Sequence, residues 1–272
     1  MSTLRTFGSA AGATAVVGGL VLVATPATAA DTATVSILHG VPNTPVDVYA
    51  NGERLIDDFQ PGTLTDPLEL PAGSYDLALY PADAPDGSGA PLLEASDVAV
   101  PAGANATVVA HLDAGGNPAL TPFVNDTSAV PAGQARVTVR HVAAAPAVDV
   151  RANGTPVIQG LTNPNEETLT VPAGTVSADV VLAGTDTVAI GPADLTLGEG
   201  ATTIVYAWGS GDAGYDLAVQ TISGMQSMPS GVPGGTAGLA DQDSTLPVVA
   251  AVSVAGLALA GAGAVRLARS RG

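Results

Sequence analysis

The chain contains no cysteine and no lysine, and only 3% of its 272 residues are aromatic. Without cysteine there can be no disulfide, thiolate nucleophile, thiolate-ligated zinc or iron–sulfur cluster. Stability must then come from apolar packing and backbone pairing. Few aromatics, beside a hydrophobic content of 46% with much alanine and valine, imply a core of small and β-branched side chains. Such a core favours strands in thin packed layers. Positive charge is scarce too. All 25 acidic residues lie between Asp31 and Asp243, against only four arginines there (Arg54, Arg136, Arg140, Arg151), a net charge of −21. A segment this acidic cannot displace counterions from a phosphate backbone, which excludes nucleic acid as a partner. The same charge keeps a surface soluble and salt-tolerant.

The two ends lack acids altogether. Arg5 precedes an uncharged stretch from Ala10 to Ala24, then Pro26-Ala27-Thr28-Ala29-Ala30 and Asp31. A cationic start, a short apolar run and an Ala-x-Ala site read as a secretory signal peptide, cleaved after Ala29 or Ala30. At the other end, the 20 residues from Leu246 to Val265 carry no charge and lead into Arg266, Arg269 and Arg271. At ~1.5 Å per residue a helix of this length spans a bilayer core. The trailing arginines place its C-terminus in the cytoplasm and the rest of the chain outside. Leu246-Pro247-Val248-Val249-Ala250 resembles the start of a sortase signal but lacks the Thr-Gly that sortase cleaves. Retention in the membrane is therefore expected rather than transfer to the wall.

Between the ends the sequence repeats itself. Val35-Ser36-Ile37-Leu38-His39 followed by Val46-Asp47-Val48 and Asn51-Gly52 recurs as Val137-Thr138-Val139-Arg140-His141, Val148-Asp149-Val150 and Asn153-Gly154. Leu70-Pro71-Ala72-Gly73 answers Val171-Pro172-Ala173-Gly174. Alternating segments such as Val46 to Tyr49 and Tyr75 to Tyr80 predict strands, and Asn-Gly supplies the positive-φ pair of a tight hairpin. About seven strands per copy give the count of a sandwich. The expected fold is all-β: two tandem Ig-like or transthyretin-like β-sandwiches. The plan is a signal peptide over 1–30, sandwiches over 31–130 and 131–222, and a Gly/Ser/Pro stalk over 223–245. A transmembrane helix over 246–265 and a cytoplasmic Arg-rich tail over 266–272 complete it.

The pattern V-x-x-x-H, P-x-V-D-V-x-x-N-G, L-x-x-P-A-G-x-Y resembles the domain of unknown function DUF4397. The resemblance covers roughly Ala33 to Val124 and Ala135 to Ile222. It fits the first copy better, because Val176 stands where the first copy has Tyr75. It implies β-sandwiches in tandem and an extracellular place, and it implies no activity. Absent lysine with abundant alanine and aspartate points to a GC-rich prokaryote of actinobacterial type.

Candidate chemistry is sparse. His39 and His141 recur, but neither has a second His at ligand spacing, and a zinc site needs three or four converging ligands. His111 has no histidine counterpart, since Trp208 lies near the matching position. Asp47 and Asp149 recur as well, and could pair with His39 and His141 to fix a loop such as Gly40 to Thr44. No nucleophile elbow accompanies them, so no catalytic residue is nominated. For calcium, Asp57-Asp58, the Asp83 to Gly87 loop and the Asp212, Tyr215, Asp216 cluster stand out. None has the alternating pattern of a calcium loop, so the expectation is no cofactor, with at most weak Ca2+ binding. Tyr206, Trp208 and Tyr215 form the one aromatic cluster suited to a sugar platform, and they are the candidate ligand-binding residues.

The expected function is a non-enzymatic, membrane-anchored surface protein, single-pass, whose sandwiches serve as spacer or adhesive modules. Its expected partners are the membrane, through the C-terminal helix, and a cell-wall glycan or another surface protein. Two alternatives stand beside it. One is a glycan- or polymer-binding module of the cell envelope; the other is a carboxylate-based extracellular hydrolase, for which the sequence offers no acid pair.

Overall fold

The computed structural model describes residues 31–84, 86–87 and 89–227. The segments expected to be the signal peptide, the transmembrane helix and the cytoplasmic tail, and most of the expected stalk, lie outside the described residues.

The first copy comprises β1 (Thr32–His39), β2 (Val46–Ala50), β3 (Glu53–Phe59), β4 (Leu68–Pro71), β5 (Gly73–Pro81), β6 (Leu93–Val100), β7 (Asn105–Leu112) and β8 (Pro118–Val124). The second comprises β9 (Gln134–Ala144), β10 (Val148–Ala152), β11 (Thr155–Leu161), β12 (Glu166–Pro172), β13 (Gly174–Leu182), β14 (Val188–Leu197), β15 (Thr202–Ser210) and β16 (Gly214–Ile222). Each copy thus has eight strands rather than about seven. The sheets run β4-β1-β7-β8 and β3-β2-β5-β6 in one copy, and β12-β9-β15-β16 and β11-β10-β13-β14 in the other. The two topologies are identical strand for strand. In each copy one pair is parallel, β1 with β7 and β9 with β15, and the remaining strand pairs are antiparallel.

Asn51-Gly52 and Asn153-Gly154 make the two-residue hairpins expected of them. Asn51 and Gly52 sit at φ 52° and 82°, Asn153 and Gly154 at 50° and 77°. Positive φ at both central residues matches the strand twist, and asparagine and glycine tolerate it best.

Alternation along β1 sends Val35 and Ile37 into the first sandwich, where they join two clusters: Ile37, Val46, Val48, Phe59 and Leu79, and Ala33, Val35, Leu77, Val100 and Val108. Ser36 and Leu38 take the opposite face, yet they are 2% and 0% exposed. A strand with both faces buried must be covered on both sides. The second cover is the other copy. Leu38, Val109 and Phe123 of the first sandwich share one core with Val142, Ile204, Tyr206 and Ala218 of the second. The molecule is therefore four sheets deep, and the β4-β1-β7-β8 and β12-β9-β15-β16 sheets meet at its centre.

This central layer is threaded with polar groups. Tyr206 Oη donates to Gln220 Oε1 at 2.6 Å, and the same oxygen accepts from Thr107 Oγ1 at 2.9 Å. Gln220 Nε2 donates to Ser36 Oγ at 3.3 Å, so one glutamine ties both sandwiches together. Arg140, 1% exposed, donates through Nη1 to Tyr206 Oη at 2.8 Å and pairs through Nε with Glu166 at 2.6 Å. Its guanidinium lies 4.4 Å from the Phe123 ring centroid of the other copy, a cation–π contact strengthened by exclusion of water. Tyr206, wholly buried, has its phenol pushed above the ordinary range by burial and stays protonated.

The connection between copies is strapped down. Arg136 donates to the carbonyls of Asp126 and Ser128 and to Ser128 Oγ, and pairs with the Asp126 carboxylate at 3.2 Å. Val130, 1% exposed, donates its N–H to Met225 O and accepts from Ser227 N–H, so the segment after β16 is bound to the linker.

Candidate ligand cleft

The loops at one end of the central layer enclose a cleft of about 460 Å³. Pro42, Asn43 and Pro45 come from the β1–β2 loop, Gln60 and Pro61 from the β3–β4 connection, and Trp208, Tyr215 and Asp216 from the β15–β16 hairpin. Both copies contribute to it.

Of the recurrent histidines, His39 holds the β1–β2 loop of the cleft and His141 the equivalent β9–β10 loop of the second copy. With a carbonyl as partner, His39 Nε2 must carry the proton, and it donates to Thr44 O at 2.7 Å; His141 does the same to Pro146 O at 2.9 Å. His111 donates from Nδ1 to Leu112 O and accepts at Nε2 from Thr121 Oγ1. All three are 0–1% exposed, and burial pulls each pKa below the ordinary histidine value. They are neutral fasteners of the backbone.

The expected Asp–His pairing does not form. Asp47 Oδ1 accepts from Asp58 N–H at 2.9 Å and its other oxygen faces Arg54 at 3.3 Å. Asp149 accepts from the N–H groups of Gly160 and Gly184, and these hold its pKa below the usual carboxylate range. Asp58 and Gly160, at φ 50° and 66°, lie where the β2–β3 and β10–β11 registers break. Each recurrent aspartate is thus the fastener of a bulge, whose freed amide it satisfies.

Tyr206, Trp208 and Tyr215 do not act together. Tyr206 is sealed between the sandwiches. Trp208, two residues on and on the same strand face, reaches the end of that layer and lines the cleft half-buried. It corresponds structurally to His111, since Asn105 and Thr202 pair with the equivalent Thr34 and Arg136. Gly62, at φ 78°, faces the indole so closely that an added Cβ would stand 2.7 Å from its Cζ2, so only glycine fits there. The Trp208 Nε1–H is buried without a hydrogen-bond partner. Tyr215 is anchored by donation to Ala144 O at 3.2 Å, which leaves its ring at the cleft wall.

Of the acidic clusters considered for calcium, Asp57 is engaged by Arg54 at 2.8 Å, and Asp58 serves the bulge. Among the described residues no three His, Asp or Glu side chains gather as a metal site. The sequence signals missed the wall contributed by the first copy, Pro42, Asn43, Gln60 and Pro61. They also missed Arg140, although an arginine where the repeat has Leu38 was a visible break in pattern.

Fold and site together define a double β-sandwich whose two copies are fused through one core and share a cleft at its end. Residues 33–151 match the family described as "Domain of unknown function (DUF4397)", which bears out the family resemblance over the first copy. The matched segment contains the whole first sandwich, the linker and the start of the second. No functionally curated protein matches the chain.

Proposed function

We propose that this is a non-enzymatic surface protein, exported by its N-terminal signal sequence and held by one C-terminal transmembrane helix, with the double sandwich as a stiff spacer or adhesive module. The observation that supports it is the shared core of Leu38, Val109, Phe123, Val142, Ile204 and Tyr206. A core common to both copies makes a rigid block of what would otherwise be two beads on a string. β16 runs from the hairpin at the cleft to Ile222 beside the linker, about 27 Å at ~3.3 Å per residue. The cleft is then at the end of the block away from Ser227, the side an anchored chain would present outward. Calorimetry of the full chain should show the two sandwiches melting in one transition, with calorimetric and van't Hoff enthalpies equal. Two separated β transitions would defeat the stiff-block reading. Protease added to intact cells should remove the sandwiches, and protection from it would defeat the surface placement.

The cleft favours a second reading, a module for a neutral glycan or other hydroxylated polymer. Its walls combine an indole and a phenol ring with the amides of Asn43 and Gln60 and the carboxylate of Asp216, with no cation. Flat apolar faces beside a few polar groups suit sugar rings. Cell-wall fragments should raise the melting temperature of the chain. Trp208→Ala should weaken their binding by roughly tenfold or more, as loss of a central tryptophan does at interfaces. Asp216→Asn, on an exposed side chain, serves as the variant that leaves the packing intact. Binding unchanged in both variants would move the ligand out of this cleft.

A further inference from the structure

The duplication supplies its own control for core packing. In the first sandwich Leu77, Val100, Val108 and Val35 form a filled cluster, with Tyr75 and Leu70 packed against it. The register of β5 with β6 and of β13 with β14 equates Tyr75 with Val176 and Leu77 with Ala178. Leu79 likewise becomes Val180. All three changes are from large to small. Leu195 and Leu197, opposite the smaller Val98 and Val100 of the first copy, recover only part of the volume. Where the first sandwich has this second cluster, the second has a cavity of about 100 Å³, lined by Val137, Val176, Ala178, Leu197 and Val205 among others. Apart from the Arg151–Asp179 ion pair, every side chain around it is aliphatic.

Two features show that the space is reachable. In the first copy Tyr75 stands at the end of the core with its hydroxyl donating to Pro71 O at 2.7 Å; Val176 has no such reach. Val157, on the edge strand β11, lines the cavity and is 42% exposed. An aliphatic space somewhat smaller than the ~150 Å³ cavities that take up benzene or xenon, whose only charged lining groups, Arg151 and Asp179, already pair with each other, has no free polar group to orient a headgroup. It suits a slender unbranched chain end.

We propose that the second sandwich is an apolar binding site for the end of an alkyl chain, the tail of an amphiphile, entering between its two sheets. This site is separate from the cleft at Trp208 and independent of what the cleft binds.

The probes are 1-octanol and xenon, titrated into the full chain carrying isotope-labelled alanine, valine and leucine methyls. Both should give saturable shifts confined to methyls of the cavity lining, among them Val137, Val176, Ala178, Leu195, Leu197 and Val205. Ala178→Leu, which restores the first copy's residue, should weaken octanol binding by at least about tenfold, with no loss in melting temperature. Val176→Tyr, also taken from the first copy, provides a second filling variant should Ala178→Leu fail to fold. No saturable octanol shift in the unsubstituted chain, shifts from xenon alone, or shifts that survive both filling variants would each overturn the proposal. So would tighter binding of N-acetyl-leucinamide than of octanol, which would mark the cavity as a socket for a partner's side chain.

Discussion

Arg140→Ala is expected to destabilise the double sandwich by about 3 kcal/mol in denaturant unfolding, the low end of the cost of breaking a buried ion pair. The arginine side chain is 1% exposed, whereas its partner Glu166 is 36% exposed, so the abandoned carboxylate can be rehydrated. What remains is a gap between Phe123 and Tyr206 and a phenol that has lost a donor. Arg140→Leu separates these causes. Leucine is what the first copy carries at this place, it fills the gap, and Tyr206 still donates to Gln220. Replacement of a buried charge by an apolar side chain is often close to neutral, so Arg140→Leu should lie within about 1 kcal/mol of the parent. If Arg140→Ala costs less than that, the guanidinium behaves as a solvated surface charge, and the central layer is open to water.

Acidification should produce the other large effect. His39, His111 and His141 all have folded-state pKa values pulled below the unfolded value of ~6.5 by burial. Between the folded and unfolded values the unfolded chain binds more protons, so stability rises with pH there. The stabilisation from the neutral histidines is complete above pH ~6.5 and is lost as pH falls through the folded values. Each histidine can contribute a slope of at most about 1.4 kcal/mol per pH unit, and the three together about 4. The carboxylates held below their ordinary range, Asp126 through the Ser128 hydroxyl and amide and Asp179 through Arg151, act lower, in the region below pH ~4. Unfolding free energies measured from pH 7.5 to 5 should therefore fall with a slope that His39→Gln and His141→Gln reduce. A flat profile over that range would mean that the histidines titrate as they do in water.

The repeat, the strand type and the hairpins were legible because they rest on local chemistry: alternation, Asn-Gly, and identical spacing in both copies. The strand count was one short in each copy, and the places where the chain changes sheet were not legible. β4 and β5 are separated only by Ala72, yet β4 pairs with β1 and β5 with β2, and no polar interruption marks the step. The site was half visible. Trp208 and Tyr215 could be nominated as aromatics, but the role of Tyr206 depended on which face of β15 is covered. That cover comes from the other copy, and period-two patterning cannot distinguish a face turned to solvent from one turned to a second domain. Leu38 and Val109 on the outward face were the available clue. The recurrent aspartates were misassigned for a related reason: their partners are backbone amides, at Asp58 and Gly160, and side-chain motifs do not record those.

The parallel pairing of β1 with β7 and of β9 with β15 bears on the order in which the molecule can form. The first strand of each copy waits for its seventh, and the central layer needs β15, close to the end of the described chain. Hairpins such as β2–β3 can close at once, but contacts of such long sequence separation give slow, late-committing folding. A chain delivered N-terminus first would remain without a finished first sandwich until β7 and β8 had arrived. Such lateness would suit the export proposed above, in which the chain passes through a narrow channel before it acquires its shape.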